Sequence, residues 1–473
     1  MMDMFDLLIT SGEVVLPEYR AKMDVAVQGE QVVALVSPGT LGKKAARVID
    51  AKGLYVFPGA IDPHTHIQME MGGRPKPGFD VNSIAAAYGG TTTLIDFALV
   101  KEEENILEAL ARRRAQAENS FAIDYSFHPR FSGFSMEQIS KVVPAIKYGA
   151  PSFGEITLDA RRVAPPDDGF LFALFKETAG NGGLPGIHAE NESLIRYATD
   201  RLLRSGKKGI KYFAEGRPNI AEEESVRRTI FLAEKAGAAL YFFHLSSKEA
   251  VWAVAEARKK GLPVYCETCP HYLAFTDSAY EQEFEKAIQF IRFPPIRGAS
   301  DRAVLWEGVE DGIIDCIGTD HVSAFLSEKL AQSKSKDFNE MPGGMATVEN
   351  RVSYMFSEGV AKKRISVNRF VELISTNAAK IFGLYPRKGT IAPGSDADIV
   401  LFDPRVKNKV TNAGLHMGLD YTIFEGWTFT GSVVMTILRG KVIIQEGKYT
   451  GSIGDGQFLK RKNSADILKK YAL

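Results

Sequence analysis

The segment Asp62-Pro63-His64-Thr65-His66 carries two imidazoles at positions i and i+2. On an extended chain such residues point to the same side. One divalent ion can then bind both, and imidazole nitrogens suit zinc. Alone, His-x-His is equally the pattern of two surface histidines on a loop. Three further residues strengthen it. His188 lies in Gly186-Ile187-His188-Ala189-Glu190-Asn191, His244 in Phe243-His244-Leu245-Ser246-Ser247, and Asp320 in Gly318-Thr319-Asp320-His321. Singly, each histidine reads more simply as a satisfied polar group in a core. Jointly, four of the eight histidines and one aspartate end short apolar runs. That is the donor set of a one- or two-metal hydrolytic site.

Other chemistry-bearing segments carry less. Cys266-x-x-Cys269 with His271 has no second cysteine pair and reads as a packed strand end. Gly89-Gly90-Thr91 and Gly343-Gly344 lack the spacing and lysine of a phosphate loop. Ser246-Ser247 is not framed as a nucleophile elbow. His128 and His321 also stand at strand ends, as partners that orient ligands or as buried polar groups.

Something must hold the donors together. Apolar runs at 59–61, 92–97, 123–127, 152–157, 186–188, 240–245, 264–268 and 313–317 alternate with helix-period stretches at 81–88, 106–119, 136–148, 222–235, 248–260 and 302–309. This α/β alternation predicts a (β/α)8 TIM-like barrel, whose active site lies at the carboxyl ends of the strands. The donors fall at the ends of its first, fifth, sixth and eighth strands. Both chain ends read instead as short strands and turns, at 5–10, 12–16, 24–27 and 31–36, and at 397–402, 432–438 and 441–445. Neither end can build a core alone, so they are expected to pair into one small β-sandwich. The expected division is 1–55 with 387–450 as the sandwich, 56–386 as the barrel, and 451–473 as a basic tail, solvated or packed against another subunit.

Composition narrows the function. The chain has 473 residues, with 58 Lys and Arg against 58 Asp and Glu. Zero net charge gives no bulk attraction to nucleic acid or anionic membrane, and is compatible with a stable oligomer. Three cysteines exclude a disulfide-built scaffold. No apolar run approaches a membrane span, and the first residues lack the basic and apolar regions of a signal peptide. The expectation is a soluble, cytoplasmic protein.

The motifs resemble those of the dihydropyrimidinase/hydantoinase group of the amidohydrolase superfamily, the cyclic amide hydrolases, over nearly the whole chain. They are Gly59-Ala60-Ile61-Asp62-Pro63-His64-Thr65-His66, Gly89-Gly90-Thr91-Thr92-Thr93, His188-Ala189-Glu190-Asn191, His244-Leu245-Ser246-Ser247-Lys248-Glu249-Ala250, Glu267-Thr268-Cys269-Pro270-His271-Tyr272-Leu273 and Gly318-Thr319-Asp320-His321. The stretch from Ile381 to Ile391, followed by Gly394-Ser395-Asp396-Ala397-Asp398, is equally close. The resemblance implies His64, His66 and Asp320 on one metal and His188 and His244 on a second. It implies water deprotonated near neutral pH, with Asp320 as the catalytic group that carries its proton to the leaving nitrogen. It also implies a homotetramer or homodimer acting on a small molecule.

Four positions depart from the family pattern. The family bridges its metals with a carboxylated lysine after Ser-Phe at the end of the fourth strand; here Ser152-Phe153 is followed by Gly154. A carboxylated lysine is therefore not expected, and Lys147 stands too far back. Glu155 is expected to bridge instead, although strand alternation turns it away unless a bulge at Gly154 re-aims it. Asp159 stands where the family has its oxyanion-binding tyrosine, a donor typically worth ~3 kcal/mol. Phe293 replaces a serine and Gly343 an asparagine among the substrate contacts. Arg161, Arg162 and Arg292 lie near these loops and suit a substrate carboxylate, although each alone reads more simply as an exposed loop cation. The function expected is hydrolysis of a cyclic amide or imide C–N bond, on a substrate shifted from hydantoin. The alternatives are a linear amide or carbamoyl compound, or a non-catalytic scaffold.

Overall fold

The computed structural model describes residues 5–42, 44–68, 76–101, 103–159 and 164–471. The middle of the chain alternates parallel strands with helices, as the α/β pattern requires. The strands pair into two arcs. One runs His321–Val322, Ala60–His66, Thr91–Leu99, Asp124–Arg130; the other runs Ser152–Thr157, Leu184–His188, Leu240–Phe242, Val264–Thr268, Cys316–Ile317. The arcs share the segment 316–322, which pairs with Thr268 on one side and with Thr65 and His66 on the other.

Among the described residues no ladder joins Asp124–Arg130 to Ser152–Thr157, so the ring expected from the sequence is not closed by hydrogen bonds. The reason lies in the stretch read as a solvated or subunit-packing tail. Arg461 is buried at this seam and donates to Ser126 Oγ at 3.0 Å, Ser152 Oγ at 2.5 Å and the Phe127 carbonyl at 2.6 Å. A guanidinium thus takes the oxygens that face the gap. Leu459 is buried with it, and its main chain pairs beside Tyr125. Positive composition concealed this packing, because an arginine held by neutral oxygens looks in sequence like any surface cation.

The two chain ends do meet, but as one nine-stranded mixed sheet. Its order is Lys448–Tyr449, Lys441–Gln445, Thr428–Leu438, Ile399–Lys409, Tyr55–Pro58, Phe5–Val15, Arg20–Gln28, Gln31–Val36, with Ala45–Asp50 also on Phe5–Val15. It encloses its own apolar cluster, including Ile9, Val14, Val25, Val56, Ile399 and Ile437. Phe5–Val15 runs as one strand, bent by a register shift between Ile9 and Gly12, where two strands were expected. Lys388 ties sheet to arcs: its buried ammonium lies 2.5 Å from Asp124 and 2.7 Å from Asp398.

Helix boundaries differ where sequence chemistry intervenes. The expected helix 136–148 is two, Met136–Ile139 and Val142–Tyr148. Pro144 lacks an N–H and clashes with the carbonyl four residues back, at Ser140. Asp168–Asn181 and Glu192–Arg204 are helices the pattern did not single out; Asp167 and Asn191 cap them with side-chain acceptors.

Candidate metal centre

The strand ends bring the donors to one buried place. His64 and His66 present Nε2 atoms 3.1 Å apart. Asp320 Oδ1 lies 3.2 Å from the first and 3.0 Å from the second. Across the centre, His188 Nδ1 lies 2.9 Å from His244 Nε2. Glu155 stands between the pairs. Its Oε1 is 2.7 Å from His244 Nε2 and 3.1 Å from His188 Nδ1, and its Oε2 is 3.9 Å from His66 Nε2. Of four overlapping donor groups, one, Asp159, His188 and Glu190, shares only His188; the other three make the centre: His64, His244 and Asp320; His64, His66 and Glu155; Glu155, His188 and His244. All six residues are buried.

Glu155 reaches the centre through a bulge. Phe153 pairs with Pro185 and Ile156 with Ile187, so the Ser152–Thr157 strand carries one extra residue there. Gly154 has φ +147°, and a Cβ on it would meet the Gly186 carbonyl at 2.3 Å. Only glycine fits that turn of the chain. The alternation argument fails at this point because the period of two is interrupted.

His244 and Asp320 both take positive φ, at +39° and +48°. Non-glycine residues in this region are uncommon and concentrate at functional sites. Each ends its strand early: Leu240–Phe242 stops before His244, and Cys316–Ile317 before Asp320.

A second layer fixes the imidazoles. His64 Nδ1 bonds Glu267, which also accepts from Tyr241 Oη at 2.8 Å. His188 Nε2 lies 3.1 Å from Glu190 Oε2. Each carboxylate fixes a ring nitrogen as the N–H, leaving the opposite nitrogen as a lone pair aimed inward. Burial pushes His66 well below the ordinary imidazole range and His244 down to about 3. Burial alone would raise Glu155. The Arg130 guanidinium, 3.2 Å away, is the largest opposing influence, and the carboxyl is held well below its usual range. Neutral His66 and His244 imidazoles and an ionised Glu155 carboxylate, converging with the other donors at about 3 Å, match what a divalent cation requires.

The departing positions form one wall. Asp159 is buried against Arg217, with its Oδ1 4.0 Å from His188 Nε2. Arg217 also holds Glu190, at 2.6 Å, and its guanidinium lies 4.8 Å from the Phe293 ring centre. A Cβ at Gly343 would sit 2.5 Å from that ring, so Phe293 fills the space beside the glycine. Asp159 is thus answered by a cation of this protein's own, Arg217. Arg292 contacts Asp320. Arg161 and Arg162 lie outside the described residues. His128 donates or accepts between Ser152 Oγ and the Pro63 carbonyl, and His321 bonds Asn82; neither faces the donors. Cys266 and Cys269 are buried free thiols. The reading of the sequence missed Glu190, Glu267, Arg130 and Arg217. The first two stood in quoted motifs, two residues past a donor histidine and at a strand end, where position alone could have found them.

The chain is similar to known proteins along nearly its whole length. The amidohydrolase family model matches residues 55–443. A D-hydantoinase of Geobacillus stearothermophilus is 38% identical over 458 residues, 96% of each chain. A D-hydantoinase of Streptomyces coelicolor is 37% identical over 96% of this chain and 97% of that one. The crystal structure of dihydropyrimidinase from Brevibacillus agri superposes with a TM-score of 0.92 at 38% identity, covering 96% of this chain and 98% of that one. An L-hydantoinase (dihydropyrimidinase) from Arthrobacter aurescens gives 0.89 at 30% identity, over 97% and 100%. Donor geometry, motifs and full-length similarity lead to one conclusion: the chain belongs to the amidohydrolase family, in its hydantoinase group.

Proposed function

We propose that this protein is a metal-dependent hydrolase that opens the C–N bond of a cyclic amide or imide. The observation that carries the reading is the meeting of four inward-facing imidazole nitrogens with Asp320 and Glu155 in one buried centre. His64, His66 and Asp320 would hold one ion, His188 and His244 a second, with Glu155 between them in place of a carboxylated lysine. Zinc suits these ligands. Divalent ions held there would activate water and polarise the scissile carbonyl. Asp320 accepts the proton of the attacking water and delivers it to the leaving ring nitrogen. Asp159, Phe293 and Gly343 select the substrate through the wall they build with Arg217. A phenyl ring in place of a hydroxyl, and no tyrosine at position 159, favour a ring other than unsubstituted hydantoin.

The reading extends to architecture. The two arcs act as one (β/α)8 barrel up to 386, and 1–55 with 387–450 form the sandwich-type companion domain, to which the strand Tyr55–Pro58 also belongs although the barrel was expected to begin at 56. We assign the protein to the cytoplasm as a homotetramer or homodimer, which size-exclusion chromatography with light scattering tests. The reported relatives are named for hydantoinase and dihydropyrimidinase activities, so nothing in them favours a linear amide or a scaffold.

The deciding experiment joins metal quantification to a hydrolysis screen over hydantoins, dihydropyrimidines, imides and lactams. The expected result is one or two divalent ions per chain and ring opening that disappears in His64→Ala. A metal-free wild-type chain that opens none of these rings overturns the reading.

A further inference from the structure

Arg292 lies against the donor set without belonging to it. Its guanidinium is buried, and it donates both to the main-chain carbonyl of Asp320 and to Oδ2 of the same residue. The other carboxylate oxygen, Oδ1, faces His64 Nε2 and His66 Nε2 at 3.2 and 3.0 Å. The two oxygens of Asp320 are therefore divided between two environments. Its backbone is also unusual, at φ +48°. A residue with a Cβ keeps that conformation only when its surroundings enforce it. Local pairing does not do so here: the ladder stops at Ile317 and resumes at His321.

Both contacts are made by one guanidinium nitrogen, Nη2, whose two N–H bonds are held in a fixed plane and so reach two acceptors at a set angle. An ammonium also carries several N–H bonds, but they rotate on a flexible stem and fix no such angle. We propose that Arg292 is a positioning residue that clamps Asp320 at two points. Its contact with the carbonyl holds the left-handed backbone, and its contact with Oδ2 turns Oδ1 toward the metal donors. The inference rests on the reading of Asp320 as metal ligand and proton carrier. It also gives Arg292 a task other than binding a substrate carboxylate, the role its loop position suggested.

The test uses the full-length protein, stripped of metal and reloaded with Co²⁺, as wild type, Arg292→Lys and Arg292→Gln. The readouts are the visible absorption of bound Co²⁺, its affinity in competition with a chelator, and kcat and KM on the ring substrate found by screening. The clamp predicts an altered Co²⁺ spectrum and an affinity lowered by roughly 10- to 100-fold in both variants, as for other residues that orient a metal ligand. It predicts a matching fall in kcat with little change in KM. Lysine restores the charge and the N–H donors but not their fixed plane, so Arg292→Lys is expected to fail as well. It also decides the matter should Arg292→Gln not fold. Variants with the wild-type spectrum and affinity overturn the clamp alone. So does a raised KM with an unaltered spectrum, which places Arg292 on the substrate. A wild-type chain that takes up no Co²⁺ overturns the metal reading and the clamp together.

Discussion

The donor ring and the wall beside it are built by different means. His64, His66, His188, His244 and Asp320 leave the carboxyl ends of paired strands or the turns just past them, so ladder register sets their positions. Asp159, Arg217, Phe293 and Gly343 come from separate loops and are held by one another, through an ion pair, a ring contact and a filled gap. A ring set by the backbone tolerates few changes, because each donor needs its strand. A wall set by side chains can be rebuilt by compensating substitutions. The departures expected from the sequence fall in the wall and at Glu155, the one residue of the ring that depends on a bulge.

The largest expected effect is at Glu155. If it joins the two histidine pairs, Glu155→Ala lowers metal content and reduces kcat by 10²-fold or more, on the order seen when support to a metal site is removed. Metal analysis with kinetics checks this, and unchanged stoichiometry and activity would remove Glu155 from the ring. Next comes Glu190, the carboxylate that both regions share. Glu190→Gln keeps the shape but weakens the acceptor for His188 and the partner of Arg217. Metal affinity is expected to fall by roughly 10- to 100-fold; a titration showing no loss would separate ring from wall.

A third experiment addresses the wall alone. Gly343→Ala presses a methyl group into the Phe293 ring and is expected to cost about 1–3 kcal/mol. Combining it with Phe293→Ser should relieve most of that cost. Denaturant unfolding of the four proteins in the cycle measures the coupling, and additive effects would show that the two positions are independent.

The smallest expected effect concerns pH at the flank of the wall. Burial, with Arg292 adding to it, pushes Lys329 down to about 7. Its Nζ donates to the Ile288 carbonyl at 3.0 Å. From about pH 7 up to the ordinary lysine value, the unfolded chain holds a proton that the folded chain has released, so this residue makes stability rise with pH. Below about 7 both states are protonated and the slope from this group ends. Lys329→Met is expected to flatten that rise without changing metal content. Unfolding midpoints measured across pH check it; an unchanged slope would show that the lysine keeps its proton when folded.

The strand ends were legible because chemistry and periodicity coincide there. The strand 152–157 was read at its observed bounds, and the four histidines with Asp320 stand together in the structure as their spacing implied. What could not be read depended on contacts between distant residues or on broken periodicity. Arg217 lies 58 residues from Asp159, and nothing local marks them as partners. Arg461 looked like part of a basic tail, yet it fills the seam between the two arcs more than 300 residues from Ser126 and Ser152.

The sequence by itself determined the donor types and the order of strands that carry them, because residue chemistry and the alternation of apolar runs are local properties. The tertiary structure decided which way Glu155 points, which cation answers Asp159, and which oxygen of Asp320 faces the histidines. Each of those depends on where a bulge, a guanidinium or a strained backbone angle lies in space. Such placements are fixed only when the whole core is packed.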